Sequence, residues 1–486
     1  MKVINNLKRF KIVMVCMMLL CMLILPSCKK FLEIDPPKDR LVENNVYETD
    51  ATAAAVLTGV YQQMVNSGGF SSGINGISLL SGLSADEFVN YSNEATKEEF
   101  YTNSLKKETF TTYWGTLYRY IFTANSAIEG ISASSGLTPA AKDQLQGEAK
   151  FIRAFCYFYL TNFFGRVPLL LSTNYEINSV AGRSSQDSVY QQIIADLTEA
   201  QALLSADYSG PNGNTVTSER IRPNKWAATA LLARVYLYTN QWNKAEIAAS
   251  DVINNKTVYD TVALDNVFLK GSKEAIWQLQ SINEGYNTWD ANVFILTSGP
   301  NPSYNIVSLS EHIVNAFEPN DQRVVKWIGT DSSTGDTYYY PFKYKANQIT
   351  PPAPPSTTYD PPTEYLTVLR LAEQYLIRAE ARIKQGKTAE GLEDLDIIRK
   401  RAGLPDYSGS TDPDDLEDAI LHERQVELFT EWGHRWLDLK RTNKVNEVMN
   451  TVTVEKGGTW NNDWQWYPVP LNEINNNPNL TQNNSY

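Results

Sequence analysis

Apolar residues recur at helical spacing over most of the chain. The pattern predicts a short helix over Ala53 to Val65, long helices over Phe110 to Ile131 and Ala140 to Phe164, and another over Asp187 to Leu204. Between the two long segments, SASSGLTP puts Thr138 where it can cap the second helix and Pro139 where it can open it. Two later stretches read as helical hairpins. In KWAATALLARVYLYTNQWNKAEIAASDVI, Ala228, Leu231, Leu232, Val235 and Tyr236 recur at helical spacing before Trp242 opens a second helix. In LRLAEQYLIRAEARIKQGKTAEGLEDLDIIRKRAGLP, Gly386 interrupts the pattern, and Ala389, Leu392, Leu395 and Ile398 resume it. Small residues at intervals let neighbouring helices approach, as in tetratricopeptide-type repeats, but the units do not recur at a fixed period of about 34 residues.

The helical pattern lapses twice. SGGFSSGINGISLLSG opens a loop-rich insertion at about 66–106, because its glycines would melt a helix. A second insertion, at about 270–360, mixes strand-like pieces such as AIWQLQ and TYYYPFKYK with the proline-rich PPAPPSTTYDPP. No Gly, Ser or Pro run is long enough to separate globular halves, so the expected fold is predominantly α, a single body interrupted by insertions. Loops on a rigid helical scaffold are where binding usually resides. Near the C-terminus, ERQVELFTEWGHRWLDLKR reads as a helix with Val426, Phe429, Gly433 and Trp436 on one face, packed against the core. The tail WQWYPVPLNEINNNPNLTQNNSY is turn-rich but aromatic, and is expected to wrap the body.

The N-terminus has a different logic. Lys2, Lys8, Arg9 and Lys11 precede an apolar run from Ile12 to Pro26, which is shorter than a membrane span of about 20 residues. Leu25-Pro26-Ser27-Cys28 looks like a bacterial lipobox, in which the leader is cleaved and the cysteine acylated. That reading makes 1–27 a lipoprotein signal peptide, 28–45 a tether and 28–486 the mature chain, with two or more acyl chains giving stable anchorage. The alternative, a thiol just beyond a transmembrane helix, gives no reason for the flexible stretch after Cys28. Cys16 and Cys21 leave with the leader, and Cys156 in its aromatic helix reads as a small buried hydrophobe, so no disulfide framework is expected.

Cleavage before Cys28 leaves 459 of 486 residues; four of the 43 basic residues and none of the 55 acids depart, giving a formal charge of −16. Such a chain suits nucleic acid poorly. The three histidines, His312, His422 and His434, are too scattered for a metal site, and Val426 stands where a zinc-protease helix beginning at His422-Glu423 would need its second ligand. Asp412-Pro413-Asp414-Asp415 reads as a helix start rather than a calcium loop. No GxSxG elbow, Walker loop or dinucleotide fingerprint is present. Glycoside hydrolysis needs only two carboxylates, and no pair is singled out.

Five segments, in order, carry a specific resemblance: LPSCKKFLEIDPP, GEAKFIRAFCYFYLTNFFGRVPLL, LRLAEQYLIRAEARIK, ERQVELFTEWGHRWLDLKR and WYPVPLNEINNNPNLTQNNSY. The chain resembles the SusD/RagB family of outer-membrane lipoproteins of Bacteroidetes. Cys28 matches the lipidated cysteine; Glu148, Arg153, Phe164, Gly165 and Pro168 match the middle motif; Glu423, Arg424, Glu427, Gly433, Arg435, Trp436, Asp438 and Arg441 match the late one. Pro468, Pro470, Glu473, Ile474, Asn477, Pro478, Leu480 and Tyr486 match the ending, where Ser485 replaces a frequent glycine. The resemblance implies a helical fold with four tetratricopeptide-type units, a SusC-like TonB-dependent transporter as partner, capture of a glycan or a peptide-derived nutrient without catalysis, no cofactor, and a lipid-anchored outer-membrane location facing outward. A secreted glycoside hydrolase and a surface adhesion or scaffold lipoprotein are the alternatives.

Sugar rings offer apolar C–H faces and a rim of hydroxyls, so a receptor sets aromatic platforms beside amides and carboxylates. The candidates in the first insertion are Phe88, Asn90, Tyr91, Asn93 and Tyr101; in the second they are Tyr286, Trp289, Asn292, Tyr304, Tyr338, Tyr339 and Tyr340. Trp289, in YNTWDAN, is the foremost of them.

Overall fold

Helix follows helix along the chain, each packed on the next. The computed structural model describes residues 14, 46–66, 69–282, 285–346 and 359–486; the leader and Cys28 lie outside the described residues. Tyr47–Tyr486 form one compact unit. Its spine runs through helices Asp50–Val65, Trp114–Ala133, Pro139–Phe164, Gln186–Leu203, Lys225–Tyr238, Trp242–Ile253, Leu371–Ile383 and Thr388–Arg401, with each helix in contact with its successor.

Local chemistry sets the helix ends. Thr138 accepts a hydrogen bond from the Ala141 amide while Pro139 occupies the first turn, as its sequence predicts. The preceding helix starts at Trp114 instead of Phe110, because Tyr113 takes φ +69° and ends the run of αR residues. Asp412 occupies the N-cap of Pro413–Leu428, but its side chain makes no capping hydrogen bond, so Pro413 and the acids of the first turn carry that start.

Buried bidentate ion pairs join the helices. Arg153 grips Asp196 at 2.8 and 2.6 Å, Arg234 grips Glu373 at 2.6 and 2.7 Å, and Arg378 grips Asp394 at 2.9 and 2.6 Å. Each fixes one helix against another in a single geometry. Gly391 permits the close approach within the last hairpin, since a Cβ there would lie 2.6 Å from Ile383.

The Glu423–Arg441 stretch is not one helix. Pro413–Leu428 ends, Thr430, Trp432 and Gly433 take φ of +56°, +49° and +73°, and His434–Arg441 begins on a new axis. Tertiary hydrogen bonds impose this turn: the Thr430 amide donates to Glu87, the Trp432 amide to Ser78, and the Trp432 indole to the Thr367 carbonyl.

Four two-stranded antiparallel sheets occur among the described residues. Two of them matter for the site. Strand β1 (Phe88–Asn90) pairs with β2 (Val307–Leu309), and β3 (Ile328–Asp331) pairs with β4 (Tyr338–Pro341). The tail closes over the end of Pro139–Phe164: the Tyr467 amide donates to the Phe163 carbonyl, and Asn483 donates to those of Phe164 and Tyr467.

Candidate functional site

The late-motif charges are spent inside the body. Arg424 and Arg441 each reach Asp438 at 2.7 Å, Arg435 holds Asp86, and Arg323 meets Asp321, Glu423 and Glu427. Burial alone would raise the Glu427 carboxyl, but Arg401, Arg370 and Arg323 drive it well below the usual carboxylate range. This network supports the loops above it and leaves none of those charges facing a ligand.

On that support, the two insertions converge. The β1–β2 ladder sets Asn90 opposite Val307, and the Tyr91 amide donates to the Ile306 carbonyl at 2.8 Å. Tyr91 then meets Tyr338 edge to face, centroids 5.9 Å apart, so one ring comes from each insertion. Asn90 donates to Glu98 at 2.9 Å, and Asn93 stands exposed beside it. Tyr101 is half-buried with the Lys456 ammonium 4.9 Å from its centroid. Tyr304 is 74% exposed on a loop held at both ends: the Gly299 amide donates to Asp331, and Asn305 donates to the carbonyls of Asn292 and Val293. Strand alternation puts Tyr338 and Tyr340 on one face of β4 and Tyr339 on the other. Tyr340 lies across Gly329, its partner in register, where a Cβ would stand 2.2 Å from the ring.

Phe88 has a different position. It is wholly buried and stacks on Phe294 at 5.3 Å, so its ring belongs to the core beneath this face.

The second aromatic pair is Tyr286 and Trp289. Their rings stack with centroids 5.6 Å apart and planes 16° from parallel. Thr288 caps the short helix Trp289–Phe294 by accepting from the Ala291 amide, which fixes Trp289 in its first turn. Asp290 is buried behind it and accepts from the Gly73 amide at 3.3 Å; burial pushes its carboxyl up to about 7. Asn287 accepts from the Thr363 amide and donates to the Ala346 carbonyl, tying the segment to two more loops.

Tyr286 also lines a cleft of about 440 Å³ with Thr58, Gln62, Gln280, Tyr359 and Asp360. Its aromatic walls and scattered amides are the composition a saccharide site needs. Sequence reasoning singled out only Tyr286 among these. Tyr359-Asp360 beside the prolines of PSTTYDPP is a signal that could have been read, whereas Gln62 and Gln280 join the cleft only through the fold. Among the described residues, no group of His, Cys, Asp and Glu is disposed to hold a metal ion. Cys156 is free and buried, and burial pushes its thiol well up.

Two family models match the sequence: one described as starch-binding associating with outer membrane over residues 30–237, the other as the SusD family over residues 327–486. The chain belongs to the SusD/RagB family. Among SusD-like relatives, it is similar to a SusD-like protein of Formosa agariphila, 26% identical over 99% of this chain and 100% of that one. It is also similar to the starch-binding protein SusD of Bacteroides thetaiotaomicron, 25% identical over 73% of this chain and 75% of that one. Its fold is the predominantly α SusD-like fold. A laminarin binding SusD-like protein superposes with a TM-score of 0.72 at 22% identity, covering 90% of this chain and 100% of that one. A surface glycan-binding protein A from Bacteroides fluxus superposes with a TM-score of 0.72 at 23% identity, covering 90% and 99%.

Proposed function

We propose that this chain is a non-catalytic glycan receptor of the outer membrane, anchored through acylated Cys28, that captures oligosaccharide and delivers it to a SusC-like TonB-dependent transporter. In this reading its paired helices are four tetratricopeptide-type units. The mature chain from Cys28 acts as one body, with the insertions at about 66–106 and 270–360 carrying the ligand.

The stacked Tyr286–Trp289 pair, of which Tyr286 lines the cleft, is the observation that carries the reading. Two rings held nearly parallel leave an outer face for sugar C–H groups, and Gln62, Gln280 and Asp360 line the cleft for hydroxyls. The Tyr91–Tyr338 pair is a second aromatic contact, made between the two insertions. Relatives named for binding starch and laminarin support a glucan or similar polysaccharide as the ligand class. Asp360 is the one carboxylate among the described lining residues of the cleft, whereas glycoside hydrolysis requires a pair. No helix among the described residues is long and apolar enough to cross a membrane; in this reading the anchor is Cys28.

A glycan array probed with the lipid-free chain, followed by a reducing-end assay on each bound polysaccharide, tests the proposal. Binding without new reducing ends is expected; turnover would make the chain a hydrolase, and attachment to cells or matrix with no glycan bound would make it an adhesin.

A further inference from the structure

Polysaccharides divide by charge, and a site for uronate or sulfate groups needs arginine or lysine with donors to spare. The cleft beside Tyr286 has no such donor to offer. Arg222 is the one cation among its described lining residues, and it is buried. One terminal nitrogen donates to Glu148 at 2.7 Å; the other donates to the Thr58 hydroxyl at 2.5 Å and to the carbonyls of Pro211 and Ala54 at 2.8 and 3.3 Å. Tyr61 and Gln144 also donate to Glu148, each at 2.9 Å. Turning Arg222 towards a ligand anion would leave the Glu148 carboxylate buried without its cation, which is strongly unfavourable.

Asp360 is the opposite case. It is exposed in the cleft wall, and no described residue bonds to its carboxylate. Its backbone is held from both sides. The Tyr359 ring packs on Gly285, where φ is +83° and a Cβ would stand 2.9 Å from the ring. Pro361 and Pro362 restrict the chain after Asp360, and the Thr363 amide donates to Asn287 at 2.9 Å. Gly285 and Asn287 flank Tyr286 in sequence, so both fastenings tie the Asp360 segment to the one that carries the aromatic platform. By sequence, the stretches 283–284 and 347–358 that adjoin these residues contain no lysine or arginine, and Glu284 adds an acid. The whole chain has the same sign: its net charge is −12, and more acidic once the basic leader is removed.

We infer that the cleft selects neutral polysaccharide and rejects uronate and sulfate groups, with Asp360 as the specificity-determining residue. The inference rests on the receptor reading above and names the charge class of its ligand. A fixed carboxylate accepts hydrogen bonds from the hydroxyls of a neutral sugar and repels an anion placed against it, so one side chain supplies both the attraction and the discrimination. That repulsion is stronger in a cleft partly walled by protein than in bulk water.

Titration of the lipid-free chain with polymers matched in backbone tests it. The probes are starch, laminarin and other neutral polysaccharides, each beside its own sulfated form, its own form oxidised to uronate at the primary hydroxyls, and its own hydroxyethylated form, which adds bulk without charge. At ~10 mM salt, where screening reaches only beyond about 30 Å, the charged forms should bind about tenfold more weakly than the neutral parent, and the hydroxyethylated form should stay close to the parent. At ~1 M salt the gap should narrow while the parent's affinity holds. Asp360→Asn, which keeps the shape and removes the charge, should narrow the low-salt gap about threefold and keep the melting temperature. A charged form that binds as tightly as its parent, a hydroxyethylated form weakened as much as the sulfated one, or a gap that Asp360→Asn leaves unchanged would overturn the inference. Failure of every polymer to bind, neutral or charged, would instead strike at the receptor reading.

Discussion

Tyr286 and Trp289 stack at 5.6 Å although they leave the chain on either side of a helix cap, Thr288. The cap sets the direction of Trp289, and Asp290 behind it joins the helix to the Gly73 loop. Replacing Trp289 by Ala removes one half of the platform and leaves this anchoring in place. Affinity for the bound glycan should fall about tenfold, equivalent to ~1.4 kcal/mol, with melting nearly unchanged. A titration of both proteins checks this; loss of folding would assign the indole to the core.

The contribution of Glu87 and Asp290 to stability should fall as pH rises from about 4 to 7. Burial, opposed by the Thr430 amide, lifts Glu87 from 4.5 to about 7, and burial lifts Asp290 from 3.8 to about 7. Each folded carboxyl therefore holds its proton where the unfolded one has lost it. The stabilisation is full below the unfolded values and disappears as pH passes the folded ones. In urea unfolding, Asp290→Asn, which keeps an oxygen for the Gly73 amide, should lose less stability than the wild type between pH 5 and pH 8.

Glu427 faces three guanidinium groups, Arg323, Arg370 and Arg401. Its replacement by Ala leaves those charges buried with too few partners and should cost ~3–5 kcal/mol. Thermal unfolding measures the loss; a change under 1 kcal/mol would mean that the network relaxes freely.

Cys28→Ala should remove the anchor without altering the fold. The expected outcome is a chain released from the outer membrane with unchanged circular dichroism and glycan affinity, and mass spectrometry of the wild type should find the acylated cysteine.

Apolar and small residues at helical spacing located the helices, even where, as over Phe151–Phe164, every side chain is buried, and Thr138-Pro139 marked a boundary because capping is a local act. The break at 429–433 was hidden, since Glu87, Ser78 and Thr367 impose it from remote parts of the chain, and only Gly433 hinted at it. The site was legible in the same measure. Tyr286 and Trp289 share one short segment, and pairing of Tyr91 with Tyr338 needed only the two insertions to meet. The amides of Gln62 and Gln280 could not be read, because a helix, a strand end and a proline-rich loop must converge before they line one cleft. Phe88 could not be told from its exposed neighbours, because three residues of strand do not reveal which face is buried.

The central claim is capture without cleavage. The most direct measurement is calorimetric titration of the lipid-free chain with the polysaccharide selected on the array, with reducing ends followed in the same cell over a day. Saturable binding that Trp289→Ala weakens, with no rise in reducing ends, is the predicted result; a steady rise in reducing ends, or no heat with any polysaccharide, would contradict it.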